Sequence, residues 1–310
     1  KLRQPERAVE VLAPLVTDET DDAQLLALLG TAYLQAGDNN RGAALIERDW
    51  PGQPAAVPCR VVSVLRAREL WERLMRASYD CAEPGVLFVD RINHWNNLWY
   101  REHISTTNPC GEIPLPPWGG CDLGSINLTR FIKAPFDKGA AIDWEGLGQT
   151  VHDAVRLLDN AIDLSHYPLP QQREQMQATR RIGLGITGLA DALMMLDIRY
   201  GDEASFALAS NLMQTIRDAS YRASVELARE KGAFPAFDTT AYLASPFIER
   251  LPDDIREDIA RVGIRNSHLL AIAPAGTISL LAGNISSGLE PIFEKRYRRR
   301  VRIDGEWKEF

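Results

Sequence analysis

The chain has 310 residues, 45% of them hydrophobic and 25% charged, and a formal net charge of −7. This is the composition of an ordinary globular protein, long enough for about two domains or one large α/β barrel. The acidic balance argues against a polyanion-binding surface, so nucleic acid is not an expected partner. No run approaches the ~18 apolar residues of a membrane span, and the polar start Lys1-Leu2-Arg3-Gln4 does not read as a signal peptide.

In chain order, residues 1–49 are rich in Ala and Leu and read as helical. Leu26, Leu29-Gly30, Tyr33, Gly37, Gly42, Ile46 and Pro54 follow a 34-residue tetratricopeptide spacing, and one period back from Gly42 and Ile46 stand Ala8 and Leu12. An N-terminal all-α, tetratricopeptide-like hairpin is expected here. So few repeats need further chain or a partner to complete a core. A Pro-rich junction, residues 50–65, separates it from a mixed α/β region at 66–310.

In that region, Ala67 to Asp80 reads as a helix with Leu70, Trp71, Leu74 and Met75 on one face. Val86-Leu87-Phe88-Val89-Asp90 reads as a short buried strand after a Pro-Gly turn. Long helices are expected over Trp144–Ser165 and over Ala204–Lys231, the latter closed by Gly232. Gly183 to Leu196 opens with glycines and turns helical near Leu189, and Leu269–Ala273 reads as an apolar strand. Strands alternating with long helices imply a parallel sheet or an α/β barrel. Gly183, Gly185 and Gly188 have G-x-G-x-x-G spacing but no clear preceding strand, which favours tight helix packing over a dinucleotide site.

The chemistry concentrates in Asn108-Pro109-Cys110-Gly111-Glu112 and in Cys121. Were the pentapeptide extended, Asn108, Cys110 and Glu112 would share one side, setting a thiol between an amide and a carboxylate. With Cys59 and Cys81, the four cysteines are too few and too dispersed for a secreted disulfide scaffold. No CxxC pair or zinc-spaced Cys/His set occurs, and His94, His103, His152, His166 and His268 show no ligand spacing, so no protein-built metal site is expected. Cytoplasmic location with catalytic or redox-active cysteine is the expectation. Pro274-Ala275-Gly276-Thr277-Ile278-Ser279 offers small residues, backbone N–H groups and hydroxyls at a helix start, which suits a phosphate. The run Lys295 to Arg300 reads as a solvated strand rather than a phosphate contact.

Taken together, Asn108 to Leu128, Arg180 to Asp191 and Ala273 to Ser279 resemble the large catalytic subunit of ribonucleotide reductase, and the Asn-Pro-Cys-Gly-Glu form resembles the adenosylcobalamin-dependent class II enzymes. The resemblance covers about residues 60–310. It implies the later part of a ten-stranded α/β barrel with the cysteine on a finger loop. It also implies reduction of ribonucleoside di- or triphosphates to deoxyribonucleotides. In that scheme a Cys110 thiyl radical takes the 3′-hydrogen, Glu112 is the general base, and Asn108 holds the substrate hydroxyls. Cys121 is one member of the reducing dithiol, and residues Pro274, Ala275, Gly276, Thr277, Ile278 and Ser279 hold the phosphates. Implied partners are adenosylcobalamin, a thioredoxin-like dithiol reductant and a chain carrying the first barrel half, and a homo-oligomer is compatible. Neither Cys59 nor Cys81 stands in the context of the dithiol's second member, and no C-terminal CxxC precedes Phe310. The alternative expectation is a non-catalytic remnant that recruits partners through its helical segment.

Overall fold

The computed structural model describes residues 5–16, 29, 32, 33, 38, 41, 67–294, 296, 298, 300–303 and 305–309. The chain divides into two compact units, Lys1–Leu87 and Phe88–Phe310.

In the first unit, helix α1 (Pro5–Leu12) leads into a 3₁₀ turn, Ala13–Leu15, and α2 spans Ala67–Cys81. Leu29 and Ala32 are buried. Ala8 and Leu12 fall in α1 and Tyr33 is helical, while Leu26, Gly30, Gly37, Gly42, Ile46 and Pro54 of the tetratricopeptide spacing lie outside the described residues, as does the 50–65 junction.

The expected strand Val86–Asp90 does not form, because residues 83–88 lack regular structure and helix α3 starts at Val89 and ends at His94. Val86, Leu87 and Phe88 are exposed. A short apolar run does not by itself choose between strand and helix, and no strand among the described residues offers this one a partner.

The remaining elements build a parallel pair covered by helices. Strand β3 (Asp122–Asn127) runs parallel to β6 (Ile182–Thr187), with Asp122 opposite Ile182 and Asn127 opposite Thr187. The expected strand Leu269–Ala273 is present only as extended chain with one parallel bridge, Leu184 to Leu270. It is held by Leu184 N–H to Leu269 O (2.8 Å) and Ala271 N–H to Leu184 O (3.2 Å). Among the described residues the strands do not close into a barrel.

Between β3 and β6 lie two short strands, β4 (Ile132–Lys133) and β5 (Ala141–Ile142), then helices α4 (Trp144–Leu164) and α5 (Pro170–Thr179). Asp143 caps α4 by accepting from Gly146 N–H. Leu147, Val151, Val155, Leu158 and Ile162 recur every three or four residues and form its buried stripe. After β6 come α6 (Leu189–Met195), α7 (Glu203–Lys231), α8 (Thr239–Leu243), α9 (Asp253–Val262) and α10 (Gly276–Leu281). Helix α7 packs along α4 and is tied across the surface by Arg156–Glu230 and His152–Glu226. A terminal hairpin pairs β7 (Arg300–Ile303) with β8 (Glu306–Glu309).

Strand β6 explains its own glycines. Ile182, Leu184 and Ile186 belong to the core that also holds the α4 stripe, while Gly183 and Gly185 alternate onto the opposite face. There the chain after Leu270 lies so close that a Cβ on Gly185 would sit 2.3 Å from Ala271 O. The glycine run is thus a strand closed on by extended chain, rather than a phosphate-binding turn or the tight helix packing that the spacing favoured.

A buried ionic cluster locks α4 to the start of β6. Asp159 is fully buried and accepts from Arg180 Nε (2.8 Å), Asn266 Nδ2 (3.0 Å) and Lys231 Nζ (3.1 Å). Arg180 also reaches Asp163 at 2.7 Å.

Candidate active site

The Asn-Pro-Cys-Gly-Glu segment forms the tip of a short hairpin whose legs are β1 (Thr106–Thr107) and β2 (Pro114–Leu115). The extended arrangement does not occur. Gly111 N–H donates to Asn108 O at 3.0 Å, so Asn108 to Gly111 is a tight turn with Pro109 and Cys110 at its corners. Proline fixes φ at the first corner, and Gly111 at φ +87° closes a turn that a side chain would strain. Asn108 is therefore a loop staple as well as a candidate ligand. Its Oδ1 accepts from Ile113 N–H at 2.9 Å, and its own N–H donates to Ile113 O at 3.2 Å.

The turn lifts Cys110 to the surface, where it is an exposed free thiol. Glu112 turns the other way, with Oε2 buried and no hydrogen-bond partner. A buried carboxylate oxygen left unmatched costs about 1–3 kcal/mol, which makes Glu112 a ready acceptor for an incoming hydroxyl.

Cys121 is half-buried at the entry to β3. Its Sγ lies beside the open face of β6, 3.1 Å from where a Cβ on Gly183 would stand. Burial pushes the thiol up to about 12; the Arg181 guanidinium opposes this, and the Asp122 and Glu112 carboxylates add to it. At neutral pH Cys121 is therefore a protonated thiol. Cys81 is exposed and lies in the other unit, and Cys59 lies outside the described residues.

The candidate phosphate loop runs into α10. Ala275 N–H donates to Ser287 Oγ (2.9 Å), and Ser279 Oγ donates to Gly276 O (2.9 Å). The neighbouring Ser286 is stapled to the end of β6. Its carbonyl accepts from Gly188 N–H (2.7 Å) and Thr187 Oγ1 (2.7 Å), while its N–H donates to Asp191 Oδ2 (2.6 Å). A groove of about 900 Å³ is lined by Gly276, Ser279, Ser286, Ser287 and Arg298, among others. Arg298 and Arg300 border that groove but are largely exposed and pair with Glu309, which fits the solvated-strand reading for this part of the basic run.

Sequence reasoning missed the cluster under the hairpin. Arg181 and Glu102, both almost fully buried, form an ion pair, and Gln175 donates to the other Glu102 oxygen at 3.1 Å. Arg181 also donates through Nε to His268 Nδ1 (3.3 Å) and through Nη1 to Pro114 O (3.5 Å). Burial, with Arg181 beside it, holds His268 well below its ordinary value, so the ring is neutral and can accept. The one available signal was a second arginine directly before a strand of buried residues.

A turn-borne thiol, a carboxylate with an unmatched buried oxygen, a second, protonated thiol and a small-residue loop beside a groove all stand on one α/β unit. The family profile described as "Ribonucleotide reductase, barrel domain" matches residues 49–310, and the chain belongs to that family. Among its relatives is the vitamin B12-dependent ribonucleoside-diphosphate reductase of Mycobacterium tuberculosis, 40% identical over 243 residues, covering 78% of this chain and 32% of the relative. The protein of the same name from Thermoplasma acidophilum is 37% identical over 242 residues, covering 78% of this chain and 29% of the relative. The ribonucleoside-diphosphate reductase subunit alpha of Chlamydia pneumoniae is 30% identical over 261 residues, covering 76% and 24%. The chain thus spans a third or less of the length of these relatives.

Proposed function

We propose that this chain contributes the radical-bearing half of a ribonucleotide reductase site, acting on ribonucleoside diphosphates with adenosylcobalamin. The observation that carries the reading is the pairing of roles in one unit. Cys110 is an exposed thiol on a constrained turn, and Glu112 in the same turn holds an unmatched buried oxygen. The relatives' names supply the substrate and cofactor classes.

Adenosylcobalamin, when bound, supplies the one-electron oxidation that turns a thiol into a thiyl radical. The hairpin tip suits a bulky neighbour, since a Cβ on Gly111 would meet nothing within 4 Å. Cys110 then takes the 3′-hydrogen of the ribose. Glu112 accepts the 3′-hydroxyl proton, and the 2′-hydroxyl leaves as water. Asn108 orients the hydroxyls through its amide. Cys121 and a second thiol supply two electrons and two protons and become a disulfide, which an external thioredoxin-like dithiol reduces. Cys110 returns that hydrogen to the 3′-carbon at the end of the cycle, which regenerates the thiyl radical. Residues 274–279 hold the phosphates, with the groove beside Ser286 and Ser287 as their seat.

The reductase portion is taken to begin after the 50–65 junction, in a soluble cytoplasmic protein. Segment 1–49, in which helix Pro5–Leu12 forms, is proposed as a tetratricopeptide-like hairpin on its sequence spacing alone. The test incubates the chain, alone and with a polypeptide supplying the first barrel half, with adenosylcobalamin, cytidine diphosphate and dithiothreitol. Deoxycytidine diphosphate and tritium exchange from the cofactor are expected, and Cys110→Ser should abolish both. Absence of product and exchange from both mixtures overturns the proposal.

A further inference from the structure

We propose that Arg181 is a positioning residue that clamps both legs of the Cys110 hairpin to the start of β6. The inference rests on reading Cys110 as the hydrogen-abstracting thiol, but its geometry stands apart from any activity. Glu102 precedes the first leg and Pro114 lies in the second, and one guanidinium reaches both. The third donor of the same group goes to His268, which leads into the extended chain beside β6. Arginine presents its donors in a rigid planar fork, so fixing one contact orients the others.

The hairpin's own ladder is short. Its two-residue legs pair Thr106 with Leu115 and Thr107 with Pro114, Asn108 binds Ile113 at the tip, and Ile104 and Ile113 are buried. A hairpin of that length is not independently stable in water, so its placement must come from outside contacts. Asn93 supplies one at the entry, donating to Ile104 O (2.9 Å) and accepting from Ile104 N–H (2.8 Å). Arg181 supplies the contact that spans both legs. It stands two residues before Gly183, which borders Cys121 Sγ, so a single side chain ties the turn carrying Cys110 to the wall carrying Cys121. The Arg181 charge also acts on the Cys121 thiol, as expected of a group near both.

A spectroscopic test separates positioning from general stability. A nitroxide label is placed on Cys110 in a Cys59→Ser, Cys81→Ser chain, with mass analysis to confirm that Cys121 stays unlabelled. A control label sits at Leu164→Cys, an exposed end of α4, in a chain whose Cys59, Cys81 and Cys110 are serine. Arg181→Gln and Arg181→Lys should each shorten the rotational correlation time at residue 110 at least threefold while leaving the control unchanged. Lysine keeps the charge but cannot reach three acceptors at once, so charge alone must not rescue. If Arg181→Gln loosens the control as well, Glu102→Gln is read in its place and should give a smaller, local gain in mobility at residue 110. Unchanged mobility at residue 110 in a folded Arg181→Gln chain overturns the clamp, as does full rescue by lysine. Parallel loosening of both labels in Arg181→Gln and Glu102→Gln overturns it too. A chain that reduces no ribonucleotide can still give the expected spectra, so failure of the reductase reading and failure of the clamp are distinguishable.

Discussion

Replacing Gly185 with alanine puts a methyl group where backbone already lies. The new Cβ would sit 2.3 Å from Ala271 O and 3.1 Å from Ile272 Cα. A relaxed carbon–oxygen contact needs about 3.3 Å, so β6 and the 271–272 chain must part by roughly 1 Å. That movement carries the Ala271 N–H to Leu184 O bond, already 3.2 Å long, out of hydrogen-bonding range. The lost bond is worth about 1 kcal/mol net, and forced backbone displacement in a packed region adds about 1–3 kcal/mol, for a total of roughly 2–4 kcal/mol. Gly183→Ala is the informative comparison. Its Cβ meets Leu123 Cδ2 at 2.7 Å, Ala271 Cβ at 2.9 Å and Cys121 Sγ at 3.1 Å, which are all side-chain atoms. Leu123 is exposed and can swing aside, and only Ala271 Cβ, fixed to its backbone, forces a shift of a few tenths of an ångström, so the cost should stay near ~1–2 kcal/mol, below that of Gly185→Ala. Urea titrations of the three chains by far-ultraviolet circular dichroism, at constant m, measure both differences. A Gly185→Ala chain within ~0.5 kcal/mol of the parent, or a larger loss at Gly183, would refute the close-approach argument.

Two further outcomes follow from the buried charges and thiols. Asp159→Asn leaves Arg180, Arg265 and Lys231 short of their shared anion and should cost about 3 kcal/mol, the lower end for a broken buried pair because Asp163 still holds Arg180. Burial alone would raise the Asp159 carboxyl, but hydrogen bonds and charge from Arg180, with Arg265 and Lys231, hold it below its ordinary value. Its contribution is therefore complete above the unfolded value of about 3.9 and is lost as pH falls through the lower folded value. Acid titration of stability should fall more steeply in the parent than in Asp159→Asn, and parallel curves would contradict this. At pH 8 a thiol at about 12 is ionised in roughly one molecule per ten thousand. Iodoacetamide should modify Cys81 and Cys110 while sparing Cys121, as peptide mass mapping would show. Rapid alkylation of Cys121 in the folded chain would mean that its burial is misjudged.

The long helices were legible because their apolar stripes repeat at helical spacing: Leu147, Val151, Val155, Leu158 and Ile162 announce one buried face whatever packs on it. The family was legible for a different reason: Asn108, Cys110, Glu112 and Cys121 stand with their neighbours in a fixed order along the chain. Other readings failed where a residue's conformation depends on distant chain. Val86 to Asp90 had the composition of a strand but met no partner strand among the described residues. The glycines of β6 had the spacing of a turn, and only the approach of Ala271 shows why they lie in a strand.

The sequence by itself determined the family and the helices that bury a core. Both rest on local order and periodicity along the chain. The tertiary structure decided that the pentapeptide is a turn rather than a strand, because Asn108 binds Ile113 across it. It also decided that Cys121 is a protonated thiol and that Arg181 joins Glu102, Pro114 and His268. Those groups are 79, 67 and 87 residues from Arg181, and only folding brings them together, because no local rule reports a buried charge's partner at such separations.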